Sequence, residues 1–253
     1  MSNRFDGRVV VITGAGGGLG RTSAQAFGRE GAQLILTDVN AAGLEETAAE
    51  LRGKGVVVET HAFDLSDESA INHFGAEVCA RHARVDVLFN NAGVAYGEIN
   101  QLVHEMSLDK WLRYITINSL APLMLAKALR PALANAKGVI INQSSMASYA
   151  PASVYGVTKA MLNELTYGMA NVFAADGIRA NAIAPGLMET PANKAGLSAE
   201  TFARIKGMQL VPLDGTADDI ASLALFLASD DARFINCEIV HCDAGNRLRG
   251  WRG

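Results

Sequence analysis

A tyrosine and a lysine in the second half of the chain have the types and spacing that proton transfer requires. They open and close the stretch YGVTK, Tyr155 to Lys159, and a separation of four residues places both side chains on one face of a helix. An ammonium about 5–6 Å from a phenol, at an effective dielectric constant of ~20, favours the phenolate by about 3 kcal/mol. The interaction therefore lowers the tyrosine pKa and predicts a general acid–base. Alone the pattern is weak, because amphipathic helices carry it by chance.

A glycine-rich stretch near the start of the chain predicts a loop that binds a dinucleotide. TGAGGGLG, Thr13 to Gly20, follows the apolar run RVVVI and fits T-G-x-x-x-G-x-G through Gly14, Gly18 and Gly20. It does not fit the more general G-x-G-x-x-G. Glycine permits close backbone approach, and the N-terminus of the following helix offers free N–H groups to a pyrophosphate. The alternative interpretation is a flexible turn without a ligand.

Asp38 ends the second predicted strand, eighteen residues after Gly20. A carboxylate at this place can accept hydrogen bonds from both hydroxyls of an adenosine ribose, and it would repel a 2′-phosphate. The neighbouring positions Val39 and Gly17 are not basic, and we expect Arg21 on the outer face of the first helix. NAD is therefore predicted over NADP. The alternative role for Asp38 is to cap the helix that follows.

Other polar and small residues follow predicted strands on the same rim. Asp64 lies in HAFDLSD after the third strand, and Asn91 lies in NNAG after the fourth. Ser144 and Ser145 follow the fifth strand, and PGLMET, Pro185 to Thr190, follows the sixth. Each is an ordinary strand-to-loop turn when taken alone. Together they predict one site, with Asp64 accepting from an adenine amine and a serine holding a substrate oxygen.

Bulk composition excludes several classes of protein. The 253 residues are 49% hydrophobic and carry a net charge of −4, which fits one domain over 1–253 and no nucleic-acid surface. Neither a membrane helix nor a signal peptide is predicted. Three cysteines without C-x-x-C spacing indicate reduced thiols and a cytoplasmic protein. His241 beside Cys242 is interpreted as part of a strand, so no metal is expected.

Short apolar runs alternate with helical patterns along the chain. Strands buried on both faces, alternating with helices, predict a doubly wound parallel α/β sheet of Rossmann type with helices on both faces. Such a sheet binds its ligand at the carboxyl ends of the strands. The predicted strands are Arg8–Thr13, Gln33–Thr37, Val56–Thr60, Val85–Asn90, Gly138–Gln143, Ile178–Ala184 and Glu238–His241. The predicted helices are Gly18–Arg29, Asn40–Arg52, Asp67–His82, Ser107–Asn135, Ser153–Ala175 and Thr216–Ala228.

In this order, the motifs resemble the classical short-chain dehydrogenase/reductase family over nearly the whole chain. The resemblance implies a sheet of about seven strands and a homotetramer. It also implies that Tyr155 is the acid–base, that Lys159 binds the nicotinamide ribose, that a serine orients the substrate carbonyl and that Asn118 holds a water in a proton relay. Residues predicted to contact the NAD cofactor are Gly14, Gly17, Gly18, Leu19, Gly20, Asp38, Asp64, Leu65, Asn91, Ala92, Gly93, Tyr155, Lys159, Pro185, Gly186, Met188 and Thr190. Residues predicted to contact the substrate are Ser145, Met146, Tyr149, Tyr155 and Met188.

The chain departs from the family in three places. The family's serine usually stands thirteen residues before the tyrosine, where this chain has Asn142. At the end of this strand the family's pattern is Asn, any residue, Ser, Ser, and its second serine is the functional one. Counting from Asn142 therefore favours Ser145 as the functional serine and leaves Ser144 as the alternative. The turn near VPLDGTADDI is shorter than usual, and Cys237 replaces the usual glycine before the last strand.

Three functions remain open on the sequence. The favoured one is an NAD-dependent dehydrogenase of an apolar secondary alcohol or ketone, with a substrate lid at about 187–210. The second is an NADPH-dependent carbonyl or 3-oxoacyl reductase, against which Asp38 argues. The third is a non-catalytic protein that senses a dinucleotide, and such a protein has no need of Tyr155 and Lys159.

Overall fold

The computed structural model describes residues 3–94, 101–149, 153–190 and 197–246. Seven parallel strands form one sheet in the order β3-β2-β1-β4-β5-β6-β7, which confirms the predicted fold class. The strands are β1 Val9–Thr13, β2 Gln33–Asp38, β3 Val58–Ala62, β4 Val87–Asn90, β5 Val139–Gln143, β6 Arg179–Pro185 and β7 Ile239–Cys242.

Helices cover both faces of the sheet, and most of them begin and end within a few residues of the predicted bounds. The α-helices are α1 Gly18–Arg29, α2 Ala41–Arg52, α3 Glu68–Arg81, α4 Leu108–Ile115, α5 Ala121–Ala128, α6 Arg130–Ala136, α7 Val154–Val172, α8 Ala199–Lys206 and α9 Ala217–Ala228. Short 3₁₀ turns lie at Met146–Tyr149, Ala174–Asp176 and Asp230–Ala232.

The single helix predicted over Ser107–Asn135 is wrong. A π-helical turn at Thr116–Leu120 separates α4 from α5, and Leu129 separates α5 from α6. Prolines stand at the start of both later helices, Pro122 and Pro131, and a proline removes the hydrogen bond that would continue the preceding helix. The hydrophobic period continues through these breaks, so it could not reveal them.

Two hydrophobic clusters hold the layers together, one on each face of the sheet. One packs α1 and α9 against the sheet, and the other packs α3, α5 and α7 against the opposite face. Every residue of β1, β4 and β5 is buried, as expected for strands covered on both sides. Among the described residues, no helix is long and apolar enough to cross a membrane.

The strand order reverses between β1 and β4. The chain runs from β1 outward through β2 and β3, and then returns to place β4 on the other side of β1. Loops at the carboxyl ends of β1 and β4 therefore separate and leave a crevice, which is where sheets of this kind bind ligands. All the predicted site motifs lie at this edge.

Candidate active site

The glycine loop between β1 and α1 forms the floor of that crevice. Gly14 has a φ of +69°, a conformation that side chains other than glycine rarely adopt. A Cβ at Gly20 would lie 2.1 Å from the carbonyl oxygen of Gly14, so the loop closes on itself only with glycine there. Asn91, after β4, donates through Nδ2 to the carbonyl oxygens of Thr13 and Gly14 at 2.9 and 3.2 Å. The two predicted motifs thus form one surface.

Asp38 faces this loop from the end of β2. Its Oδ2 accepts from the backbone N–H of Gly16 at 2.8 Å, and its Oδ1 accepts from that of Asn40 at 2.8 Å. The side chain that caps α2 is that of Asn40, which accepts from Gly43 N. Asp38 is half-buried and lines the crevice, so its carboxylate can contact a ligand there while it also hydrogen-bonds the backbone of the turn.

Arg21 does not lie on the outer face of α1, and that expectation was wrong. Its guanidinium donates to the carbonyl oxygens of Gly16 and Gly43 at 2.9 and 3.1 Å, and to Thr47 Oγ1 at 2.8 Å. The helical pattern predicted which face of α1 carries Arg21, but it could not show that α2 packs against that face. The consequence is that Arg21 holds the loop from beneath and does not line the crevice.

The adenosine end predicted at Asp64 and Leu65 includes a residue that the sequence did not reveal. Arg113 of α4 donates to Asp64 Oδ2 at 3.2 Å and to Ser66 Oγ at 3.3 Å, and it lines the crevice. Partial burial raises the pKa of Asp64, but the hydrogen bonds from Ser66 and Arg113 outweigh it and hold the pKa below its ordinary value. Asp64 therefore stays a charged acceptor.

Tyr155 and Lys159 project from α7 at the other end of the crevice. The Nζ of Lys159 lies 5.8 Å from the centroid of the Tyr155 ring and donates to the carbonyl oxygen of Gln143 at 2.6 Å. Lys159 is 2% exposed, and this burial lowers its pKa to about 8. An apolar cluster that includes Val94 and Trp111 surrounds Tyr155.

Asn118 lies in the π-helical turn and is fully buried. Asparagine is a poor residue for a helix interior, and here it stands where the helix is distorted and not at an exposed position. Its Oδ1 accepts from Val94 N at 2.8 Å, and its Nδ2 donates to Val94 O and Thr158 Oγ1. A Cβ at Gly93 would lie 3.1 Å from Asn118 Oδ1 and 3.3 Å from Lys159 Nζ. A side chain at Gly93 would therefore crowd both of these groups.

The two candidate serines have different surroundings. Ser144 is buried, and its hydroxyl lies 2.5 Å from Asn163 Oδ1. Ser145 is half-buried at the start of the 3₁₀ turn, and its Oγ accepts from Ala147 N at 3.1 Å. The hydroxyl of Ser144 is thus committed to Asn163 in the interior, whereas no acceptor for the Ser145 hydroxyl proton is found among the described residues.

The segment after β6 packs against described residues near the end of the chain and does not line the crevice. A Cβ at Gly186 would lie 2.7 Å from the Cα of Asp243. Met188 is buried in the core and pairs with Gly215, and Thr190 is also buried. Tyr149 is partly exposed, and its ring lies 4.7 Å from that of His241. The predicted lid contains α8, Ala199–Lys206, and residues 191–196 lie outside the described part of the chain.

The crevice is a cavity of about 440 Å³, within the range of small-molecule and cofactor sites. It brings together most of the predicted cofactor residues, namely Gly14, Gly17, Gly18, Leu19, Asp38, Asp64, Leu65, Asn91, Ala92, Gly93, Tyr155 and Lys159. Gly20, Asn118, Ser145, Met146, Tyr149, Pro185, Gly186, Met188 and Thr190 do not line it directly. Gln143 lines it without having been predicted. A bare glycine floor, a carboxylate at one end and a buried lysine at the other fit an extended dinucleotide.

Known proteins are similar to this chain over nearly its whole length. A family model described as enoyl-(acyl carrier protein) reductase matches residues 14–247. Meso-2,3-butanediol dehydrogenase of Serratia marcescens is 36% identical over 245 residues, covering 96% of this chain and 95% of that protein.

Two solved structures have the same fold and a bound cofactor. A putative NAD(P)-dependent gluconate 5-dehydrogenase from Beutenbergia cavernae with bound NADP is 30% identical, with a TM-score of 0.88 and coverage of 97% of this chain and 98% of its own. An NAD⁺-bound xylitol dehydrogenase is 28% identical, with a TM-score of 0.86 and coverage of 95% and 99%.

Proposed function

Because the chain belongs to the classical short-chain dehydrogenase/reductase family, we propose that it is an NAD-dependent dehydrogenase of a mostly apolar secondary alcohol or its ketone. Members of this family are oxidoreductases that act on alcohols and ketones with a nicotinamide dinucleotide, and this chain is one of them. The choice of NAD, the apolar substrate and the roles of individual residues are our inference.

Bound nicotinamide dinucleotide supplies a hydride donor or acceptor, and the chain's residues position the reactants and move the proton. Tyr155 Oη takes the hydroxyl proton of the alcohol or returns it to the ketone oxygen. Lys159 favours the phenolate and lies where it can meet the nicotinamide ribose. Ser145 Oγ donates to the substrate oxygen. The side chain of Asn118 is hydrogen-bonded to Val94 and Thr158. The water of the proton relay is therefore proposed to bind main-chain atoms of the π-helical turn that contains Asn118.

The observation that carries the proposal is the position of the Lys159 ammonium. It is buried, held by a main-chain oxygen and 5.8 Å from the Tyr155 ring, at one end of a glycine-floored crevice. Burying an ammonium costs free energy unless the charge is used or compensated. A protein that only senses a dinucleotide could use the lysine to hold the ribose, but it has no need of a tyrosine beside the buried ammonium, and the pair therefore argues for a catalyst.

Asp38 supports the choice of NAD, since it would face a 2′-phosphate and neither Val39 nor Gly17 offers a compensating cation. The test is the kcat/KM for NAD⁺ and NADP⁺ with a panel of cyclic and aromatic secondary alcohols. We expect turnover with at least about a tenfold preference for NAD⁺, or ~1.4 kcal/mol. Asp38→Asn, which removes the charge but keeps an acceptor oxygen, should narrow the difference. Equal use of both cofactors would favour the NADPH-dependent reductase, and binding without turnover would favour the sensor.

We also infer a homotetramer of single-domain chains that works in the cytoplasm. Leu108 and Leu112 of α4 are 71% and 53% exposed, and Val172 at the end of α7 is 60% exposed. Exposed apolar side chains on helices favour contact with another subunit. Cys79, Cys237 and Cys242 are free thiols, which is consistent with a reducing compartment.

A further inference from the structure

Gln143 is the last residue of β5 and lines the crevice beside Lys159. It is 6% exposed, and its Oε1 is buried with no hydrogen-bond partner among the described residues. Leaving a polar atom buried and unpaired costs free energy. An atom of this kind in a ligand cavity indicates that a ligand supplies the missing partner.

The neighbouring polar side chains are satisfied within the protein. Asn142 Nδ2 donates to Thr166 Oγ1 at 2.9 Å and its Oδ1 accepts from Asn90 at 2.9 Å, while Ser144 bonds Asn163. Successive side chains of a strand point to opposite faces, so Gln143 faces away from the Asn142–Thr166 network. Of Asn142, Gln143 and Ser144, Gln143 is therefore the residue whose polar side chain faces the crevice.

The position of Gln143 indicates which half of the cofactor its side chain would contact. β5 lies three strands from β2, across β1 and β4, which is about 14 Å at the usual strand spacing. Asp38 at the end of β2 marks the adenosine end. The main-chain oxygen of Gln143 holds Lys159 at 2.6 Å, and Tyr155 projects into the same end. A carboxamide offers both donors and an acceptor, and it can pair with a ribose hydroxyl or another carboxamide.

We propose that the Gln143 side chain hydrogen-bonds the nicotinamide riboside half of the bound dinucleotide. The proposal rests on the proposed function, because it requires a nicotinamide cofactor in this crevice. It assigns a cofactor contact to the position at which the family pattern allows any residue. Gln143 acts here as a binding residue for the cofactor, next to the proton-transfer pair.

The test compares wild type with Gln143→Met, a substitution of similar shape without hydrogen-bonding groups, by calorimetric titration with NAD⁺, ADP-ribose and ADP. We expect about three- to tenfold weaker NAD⁺ binding, the range for one lost hydrogen bond, and unchanged ADP binding. Equal loss with ADP-ribose would assign the ribose, and loss with NAD⁺ alone would assign the nicotinamide ring. Unchanged NAD⁺ affinity, or equal weakening of ADP, would overturn the proposal.

Stability provides a second readout. Without cofactor, Gln143→Met should melt no lower than wild type, because the substitution removes a buried unpaired oxygen. A clearly lower melting temperature would mean that the amide has a structural role, against the proposal. Gln209→Met is the matched control, since Gln209 Oε1 is also buried and unpaired among the described residues but does not line the crevice. It should leave the ratio of NAD⁺ to ADP affinity unchanged. Failure of wild type to bind NAD⁺ would overturn the proposed function itself.

Discussion

Ser144 and Ser145 are adjacent in sequence and differ in what surrounds them. Spacing from Tyr155 favours neither, and counting from the strand favours Ser145. The structure adds that Ser144 is buried against Asn163, whereas Ser145 is half-buried at the edge where β5 ends. The physical reason is that successive side chains leaving β5 point to opposite faces, so the two hydroxyls meet different surroundings. This placement supports Ser145 as the serine that holds the substrate oxygen.

Ser145→Ala is therefore expected to lower kcat by about two to three orders of magnitude, the usual cost of removing one donor to a reacting oxygen. Ser144→Ala should change the rate less than about tenfold and should instead lower the free energy of unfolding by about 1–3 kcal/mol, because the Asn163 oxygen loses a partner. Steady-state kinetics and urea unfolding on both variants check this. A larger rate loss for Ser144→Ala would exchange the two roles.

Residue types and spacing predicted that Tyr155, Lys159, the glycine loop and Asp38 would lie around one site, and all of them line the crevice. They did not reveal Arg113, Arg21 beneath the loop, or Gln143. Arg113 and Arg21 act through contacts with distant parts of the chain, such as Arg113 with Asp64, and no local pattern encodes such contacts. A glutamine after an asparagine at the end of a strand has no sequence signature of its own.

At the scale of elements, the central strands were predictable because β1, β4 and β5 are buried on both faces, which gives each of them a largely apolar run. The breaks between α4, α5 and α6 were not, since a π turn inserts one residue without changing which side chains are apolar. Asn118 was the available sign, because asparagine is a poor residue for a helix interior.

Cys237, which precedes β7, has a backbone conformation that should lower the free energy of unfolding by a measurable amount. Its φ is +65°, in the left-handed region that disfavours side chains, and it stands where the family usually has glycine. The residue is exposed, so its replacement loses little packing. Cys237→Gly is expected to raise the free energy of unfolding by about 0.5–1 kcal/mol, measured by urea unfolding. A decrease would show that the thiol makes a stabilising contact that outweighs the strain.

At the scale of the molecule, the parallel doubly wound architecture followed from the alternation of strands and helices. The position of the crevice followed from the reversal of strand order. Subunit assembly depends on surfaces that a single chain leaves uncovered, and sequence gives only their apolar character.

A tetramer should have about four times the chain mass of 26.7 kDa by light scattering at micromolar concentration. Leu112→Glu, which places a charge on the exposed apolar face of α4, should lower the measured mass, because burying an unpaired carboxylate at an interface is costly. The matched control is Lys110→Glu, which changes the charge of an already polar position on the same helix. A monomeric mass for wild type would contradict the tetramer.

The central claim is that Tyr155 transfers the proton while the cofactor binds without its help. The decisive measurement is the kcat of Tyr155→Phe, on a preparation whose NAD⁺ affinity has been determined by titration. The account predicts a loss of at least about a hundredfold, since general acid–base catalysis contributes about 10²–10⁴-fold, with NAD⁺ affinity nearly unchanged. A variant that binds NAD⁺ normally and retains more than about a tenth of the wild-type rate would contradict it.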